Sequence, residues 1–237
     1  MRAIVLAAGL GTRLKPLTDS CPKCLVTIKG KALIDYQLDA LELVGVDDIV
    51  VVVGAMADQV RAHCGNRVRY IENPQFSTTN SIYSLYLASQ ELCEEIFLFN
   101  CDILFHSNVL KMMLEEPKGN VLAVDTQVAR VPDEMNVCFD LKGRIVEINK
   151  NIEPARAQAQ SVQLIKFDSS GAKVLGEEVT RLIQADNTET FPTAAYEPIL
   201  KSYGIFITDV SDFAWGEIDN LEDYKYVCDH VVPSLGI

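Results

Sequence analysis

The chain has 237 residues, enough for one large α/β domain or two small ones. Acidic residues outnumber basic ones 33 to 21, and the formal charge of −12 excludes a general nucleic-acid binder, which needs a cationic surface. No apolar run approaches the roughly 20 residues that span a bilayer, and the run Ala3–Ala8 is too short for a secretory leader, so a cytoplasmic protein is expected.

The first strands are predicted at "AIVLAA" (3–8) and "DIVVVVG" (48–54), continuous apolar runs of the kind buried on both faces of a parallel sheet. Between them, "ALIDYQLDALELVGV" spaces its apolar residues by three and four and stops at Gly45, which predicts a helix closed by a glycine. Further strands are predicted at "VRYIEN" (68–73), "IFLFNCD" (96–102) and "NVLAVD" (120–125), with the helix "NSIYSLYLASQEL" between the first two of these. This alternation, with the change of pattern that follows it, predicts an α/β, doubly wound, mostly parallel but mixed Rossmann-like sheet flanked by helices. The pattern then changes. "NVCFDLKGRIVEINK" (136–150) reads as a hairpin about a Lys-Gly turn, and "SVQLIKFD" (161–168) as another strand. Helices are expected near 170–185 and 190–201, and a last one after "VSDFAWGEID" (210–219).

No linker, internal repeat or low-complexity tract divides the chain. A single domain over 1–237 is expected, with a mixed second half (126–237) laid over the carboxyl ends of the strands of the first (1–125). Seven scattered cysteines, an odd number, read as reduced and mostly buried thiols. Cys21 and Cys24 have CxxC spacing, but no second pair or HxxxH accompanies them.

"LAAGLGTRLKPLTDSCPK" (6–23) places two glycines and several cations directly after the first strand. Leu14 breaks the G-x-G-x-x-G fingerprint of an NAD-binding dehydrogenase, and no Gly-Lys-Ser/Thr gives a Walker loop. Glycines nevertheless let backbone N–H groups approach an anion, Arg13 and Lys23 supply positive charge, and Pro22 restrains the backbone carrying Lys23. The plain alternative is a loop with two solvated cations. Asp102 ends an apolar strand, where open α/β sheets place ligand chemistry, though aspartate there also serves as a turn or cap residue. Glu217 and Asp219 share one face if their segment is extended. Asp219 would equally cap the last helix, with Glu222 three residues on.

With its G-x-G-T-R, P-L-T and P-K elements, "LAAGLGTRLKPLTDSCPK" resembles the signature loop of nucleotidyltransferases acting on sugar phosphates and related small phosphates. The resemblance implies that the loop wraps a nucleoside triphosphate, with Arg13 and Lys23 on its phosphates and Leu6, Ala7, Ala8, Gly9, Gly11 and Thr12 near the nucleotide. It makes 1–125 the nucleotide-binding half and 126–237 the acceptor-binding half. It also implies that Asp102, which follows Cys101 at the nucleotide, and Asp219 hold Mg²⁺, with Glu217 on the ion or behind the two aspartates. Hard carboxylate oxygens suit that ion.

"NPQFSTTNSIYSLYLA" (73–88) offers Thr79, Asn80 and Ser81, ordinary helix-cap candidates. The segment also resembles the small cytidylyltransferases using phosphocholine, inositol phosphate or aminoethylphosphonate, where it lies beside the cytosine. "DFAWGEIDNLEDYKYV" is similar to the carboxyl-terminal sequence of the choline and phosphonate members. Lys150 matches a lysine that lies against a phosphate in the family; alone it reads as solvated surface. Tyr196 and Glu197 fall where those members present aromatic and acidic groups to a cationic head group, yet the pair also reads as helix packing plus a solvated face. Trp215 reads as core.

The implied reaction is transfer of CMP from CTP to phosphocholine, a phosphonate such as 2-aminoethylphosphonate, or a similar small acceptor, releasing pyrophosphate with no general base. His63, His106 and His230 sit in no motif. A sugar-1-phosphate enzyme using UTP, dTTP or GTP would share Arg13, Lys23 and the carboxylates; a non-catalytic nucleotide sensor would tolerate the loss of one. The oligomeric state stays open, a homodimer included.

Overall fold

The structure, a computed structural model, describes residues 1–235. In chain order the strands and helices are β1 (Arg2–Ala7), the small hairpin β2 (Thr27–Ile28) and β3 (Lys31–Ala32), α1 (Leu33–Leu43), β4 (Asp48–Val53), α2 (Ala57–Cys64), β5 (Arg69–Glu72) and α3 (Ser81–Leu87). They continue with β6 (Ile96–Asn100), β7 (Ile103–Phe105), α4 (Asn108–Glu115), β8 (Val121–Asp125), β9 (Asn136–Phe139), β10 (Ile145–Asn149) and β11 (Ala159–Phe167). The chain ends with α5 (Ser169–Gln184), α6 (Glu197–Ser202), β12 (Phe206–Asp209), β13 (Trp215–Glu217) and α7 (Leu221–Tyr226).

Strands β5, β4, β1 and β6 lie side by side and parallel. Alternate residues of β1 supply opposite faces: Ala3, Val5 and Ala7 join a core beneath α1, α2 and α4, whereas Ile4 and Leu6 pack with α3, α5 and α6. Burial on both faces is why these strands read as continuous apolar runs. The expected helix α1 closes at Gly45, whose φ of 75° is the left-handed geometry that favours glycine.

The second half corrects one expectation. β8 is not the next parallel strand after β6; β11 comes between them, antiparallel to both, and β12 pairs parallel with β8 on the outside. The sheet is mixed, as expected, and only the place of β8 in it differs. The hairpin β9–β10 forms as expected and joins the first residues of β11. The helix expected over 190–201 is broken: a 3-10 turn spans Pro192–Ala195 and α6 follows, with prolines at the starts of both.

A third core cluster unites Leu14, Ile28, Leu33 and Tyr36 with Leu104, Ile218, Val227 and Val231. It pins the amino-terminal loop and the carboxyl-terminal segment to the same end of the sheet. No helix among the described residues is long and apolar enough to cross a membrane.

Candidate functional site

The glycine loop leaves β1 at Ala7 and turns at Gly11, where φ is 63° and a Cβ would meet Thr18 and Lys23 at 3.1 and 3.2 Å. Thr18 Oγ1 donates to the Gly11 carbonyl at 2.7 Å, and buried Leu14 anchors the loop in the third core cluster. Pro22 is extended, and a 3-10 turn over Lys23–Leu25 aims Lys23 inward. Beneath this loop lies a cavity of about 330 Å³.

Most of the residues expected at a site meet there. Leu6 lines it from the end of β1, and Ala8, Gly9, Gly11, Thr12, Arg13 and Lys23 from the loop. Thr79, Asn80 and Ser81 come from the start of α3, Cys101 and Asp102 from the turn after β6, and Lys150 from the end of β10. Glu217 and Asp219 close the far side. Ala7 stays buried in its strand and does not reach the cavity.

Two further expected residues, Tyr196 and Glu197, are not brought to it either. Tyr196 is 5 % exposed and packs edge-on against Phe167, with burial pushing its phenol pKa up. Glu197 points to solvent and pairs with Lys201 one helical turn on. A pattern that serves packing and a solvated face does just that here. Trp215 is half-buried and donates from Nε1 to Asp125 at 2.8 Å, so it is not plain core.

The carboxylates converge from distant parts of the chain. β13 pairs antiparallel with β7, setting Glu217 opposite Ile103, and the Ile218 N–H donates to the Asp102 carbonyl at 2.9 Å. The cap of α7 is Asn220, not Asp219: its Oδ1 accepts from the N–H groups of Glu222 (2.8 Å) and Asp223 (3.1 Å), and Asp223 answers the Asn220 N–H at 3.1 Å. The capping box thus begins one residue later than expected and leaves the Asp219 carboxylate free to face the cavity. Gln37, buried in α1, donates to the Asn100 and Ile103 carbonyls at 3.0 and 2.7 Å and staples the turn that carries Asp102.

One oxygen from each of Asp102, Glu217 and Asp219 lies within 4.8 Å of the others. Lys23 Nζ reaches Asp102 at 2.7 Å and Asp219 at 2.9 Å, and Arg13 reaches the other Asp219 oxygen at 2.8 Å. Burial works against the Lys23 ammonium, but the fields of Asp102 and Asp219 outweigh it and hold its pKa above the ordinary lysine value. Burial also opposes Asp219 ionisation; Lys23 and Arg13 win, and its pKa lies below the usual carboxylate value. Asp102 keeps a buried Oδ1 with no hydrogen-bond partner. Three carboxylates, one of them with an orphaned oxygen, form a donor set that fits a divalent cation of the hard, oxygen-seeking kind.

Glu217 differs from its neighbours. Burial, with Asp102 and Asp219 adding repulsion, pushes its pKa up to about 8. The folded protein therefore holds at neutral pH a proton that the unfolded chain has shed. The resulting stabilisation is complete below the ordinary value of 4.5 and lost as pH rises through about 8. A cation bound there at pH 7 is expected to displace about one proton. Calorimetric titration with a divalent ion in two buffers of unlike ionisation enthalpy reads that proton at pH 7, and it should vanish above pH 9.

Sequence reasoning missed several residues of the lining, Asn73, Phe191 and Gln163 among them. Asn73, almost fully buried, donates to Ser84 Oγ at 3.0 Å and to Thr79 Oγ1 at 3.4 Å. Phe191 lies under Lys150, whose Nζ is 5.3 Å from the ring centroid. Gln163 reaches in from β11.

A cationic glycine loop thus faces three carboxylates across the carboxyl ends of parallel strands, where open α/β sheets place ligand chemistry. The chain belongs to the family of MobA-like NTP transferase domains, whose sequence model matches residues 3–173. It is 39% identical over 114 residues to a choline-phosphate cytidylyltransferase of Streptococcus pneumoniae, a match covering 47% of this chain and 48% of that protein. It is 36% identical over 248 aligned positions to a CMP-5'-(3-aminopropyl)phosphonate synthase of Streptomyces rubellomurinus, covering 95% of this chain and 38% of that protein. The chain thus matches less than half the length of each of these two relatives. Among solved structures, a CTP:phosphocholine cytidylyltransferase of Streptococcus pneumoniae superposes with a TM-score of 0.82 at 24% identity, over 96% of this chain and 97% of that one. At that identity the likeness is one of fold.

Proposed function

We propose that the protein transfers CMP from CTP to a small phosphorylated or phosphonate acceptor, with Mg²⁺ as its ion. The single observation that carries this reading is Lys23, a buried cation shared by two aspartates at the floor of a glycine-loop cavity. The printed functions of the two relatives, one a choline-phosphate and one an aminopropylphosphonate enzyme, support the acceptor class. Residues 1–125 form the nucleotide-binding half and 126–237 the acceptor-binding half of one domain. The base lies beside Thr79, Asn80 and Ser81. The described cysteines are all free thiols, which suits a cytosolic site.

In the substrate-free protein Lys23 and Arg13 neutralise the acids. When the triphosphate enters, both cations turn to its phosphates and the backbone amides of Gly9 and Gly11 line it. Asp102, Asp219 and Glu217 would hold the ion, which would supply charge neutralisation during the transfer. The acceptor's ionised oxygen, guided by Lys150 beside Phe191, forms a bond to the α-phosphorus as the bond to the β-phosphate oxygen breaks. No proton need move, so no histidine or other base is required. Catalysis is alignment plus charge neutralisation.

A grid of CTP, UTP, dTTP and GTP against phosphocholine, aminoalkylphosphonates, inositol phosphate and hexose 1-phosphates, with Mg²⁺ and a pyrophosphate readout, tests this. The expected result is release with CTP and one of the small acceptors. Release confined to UTP, dTTP or GTP with a hexose phosphate would overturn the substrate assignment, and no release from any pair would overturn the activity.

A further inference from the structure

Five non-glycine residues among those described have left-handed backbone geometry. Lys29, Met56, Asp133 and Asp186 lie in turns or beside helix ends. Gln163, at φ 59°, lies inside a strand. A side chain there incurs a strain that glycine would not, and such strain persists where the surroundings impose it.

The surroundings are a β-bulge. Ser161 pairs with Val124 and Ile165 with Leu122, so four steps along β11 answer two along β8. Ser161 Oγ braces the bulge by accepting from the Gln163 N–H at 2.9 Å. The flanking Val162 and Leu164 both stay fully buried in the same core cluster. The bulge re-aims the Gln163 amide into the cavity. Its Nε2 donates to Glu217 at 2.5 Å, and its Oε1 accepts from Asn100 Nδ2 at 3.2 Å. One amide therefore ties the end of β6 to β13. Asp102 and Asp219 are neutralised by Lys23, but among the described residues Gln163 is the only side chain bonded to the Glu217 carboxyl group.

We propose that Gln163 is a positioning residue for the divalent-ion site, a strained clamp that holds Glu217 within ligand distance of Asp102 and Asp219. The inference rests on reading those three acids as the ion's ligands. A partner of this kind behind a ligand typically controls metal affinity by 10- to 100-fold.

Two variants separate clamp from strain: Gln163→Gly removes both, and Gln163→Met keeps the bulk and the strain but loses the amide. Each is titrated with Mg²⁺ alone by calorimetry, melted in EDTA, and assayed for the Mg²⁺ requirement against the acceptor KM. Both are expected to bind Mg²⁺ about tenfold more weakly or worse and to raise the Mg²⁺ needed for half-maximal rate, with the acceptor KM unchanged. Only Gln163→Gly should melt at a higher temperature than wild type. Wild-type Mg²⁺ affinity in both variants, with wild type itself binding, overturns the clamp alone. A wild-type protein that binds no divalent ion overturns the ion-site reading and the clamp with it.

Discussion

Replacing Lys23 with methionine is expected to abolish useful turnover and, without a divalent ion, to destabilise the protein by about 3–5 kcal/mol. The substitution keeps the volume of a side chain that is only 12% exposed and removes its charge. In the ion-free protein that charge is the common counter-ion of Asp102 and Asp219, at 2.7 and 2.9 Å. Without it the two acids and Glu217 face one another, and only the exposed Arg13 remains on Asp219. An uncompensated buried charge is far costlier than a buried pair is favourable. Mg²⁺ should restore stability, because it replaces the lost charge at the same oxygens. It should not restore turnover, because the contact made by Lys23 to the phosphates is gone; the loss of rate is expected to be about 10²- to 10³-fold. Melting curves in EDTA and in Mg²⁺, run beside pyrophosphate release, check both halves. A variant that melts like wild type in EDTA and turns over at full rate would remove Lys23 from the site.

Much of this site was readable because its parts are local. Arg13 and Lys23 sit within one eighteen-residue stretch, and Asp102 follows a strand whose apolar run is unmistakable. Such features need only the strand period and the chemistry of glycine and proline. What sequence could not reveal is pairing. "VLAVD" reads the same whether its neighbour is β6 or β11, since a strand buried on both faces carries no mark of direction. The three-residue strands β7 and β13 are too short to show a period, yet their pairing is what delivers Glu217 to Asp102. Helix α2 went unread because only Ala57, Val60 and Cys64 of its eight residues are buried. β12 is half-exposed and α4 is short, so neither was expected.

The residues missed at the site share a physical reason. Gln163 and Asn73 do their work through hydrogen bonds to groups far away in sequence, which no spacing rule records. Phe191 acts through where the break before α6 places it. In the opposite sense, Tyr196 and Glu197 looked like a head-group pair from neighbouring positions on a helix. One faces the core and the other the solvent, because adjacent helical residues do not share a face. The capping box was seen but set one residue early, and that single step decides whether Asp219 caps a helix or faces a ligand.

Asp102→Asn and Asp219→Asn are each expected to lose about 10²- to 10³-fold or more of Mg²⁺-dependent turnover, since a neutral amide is a poor ligand for that ion. Their stabilities should differ with pH. Asp219 meets both Lys23 and Arg13, and these hold its pKa below the ordinary carboxylate value in spite of burial. The stabilisation it contributes is therefore present above the unfolded value of about 3.9 and is lost as pH falls through the lowered folded value. Ion-free Asp219→Asn should melt below wild type at pH 7, with the gap closing towards pH 3. Asn220 caps α7 in both proteins, so the circular-dichroism spectrum should stay unchanged and the difference should belong to charge alone. Equal melting at pH 7, or retained turnover in either variant, would place the ion and its partner cations on other oxygens.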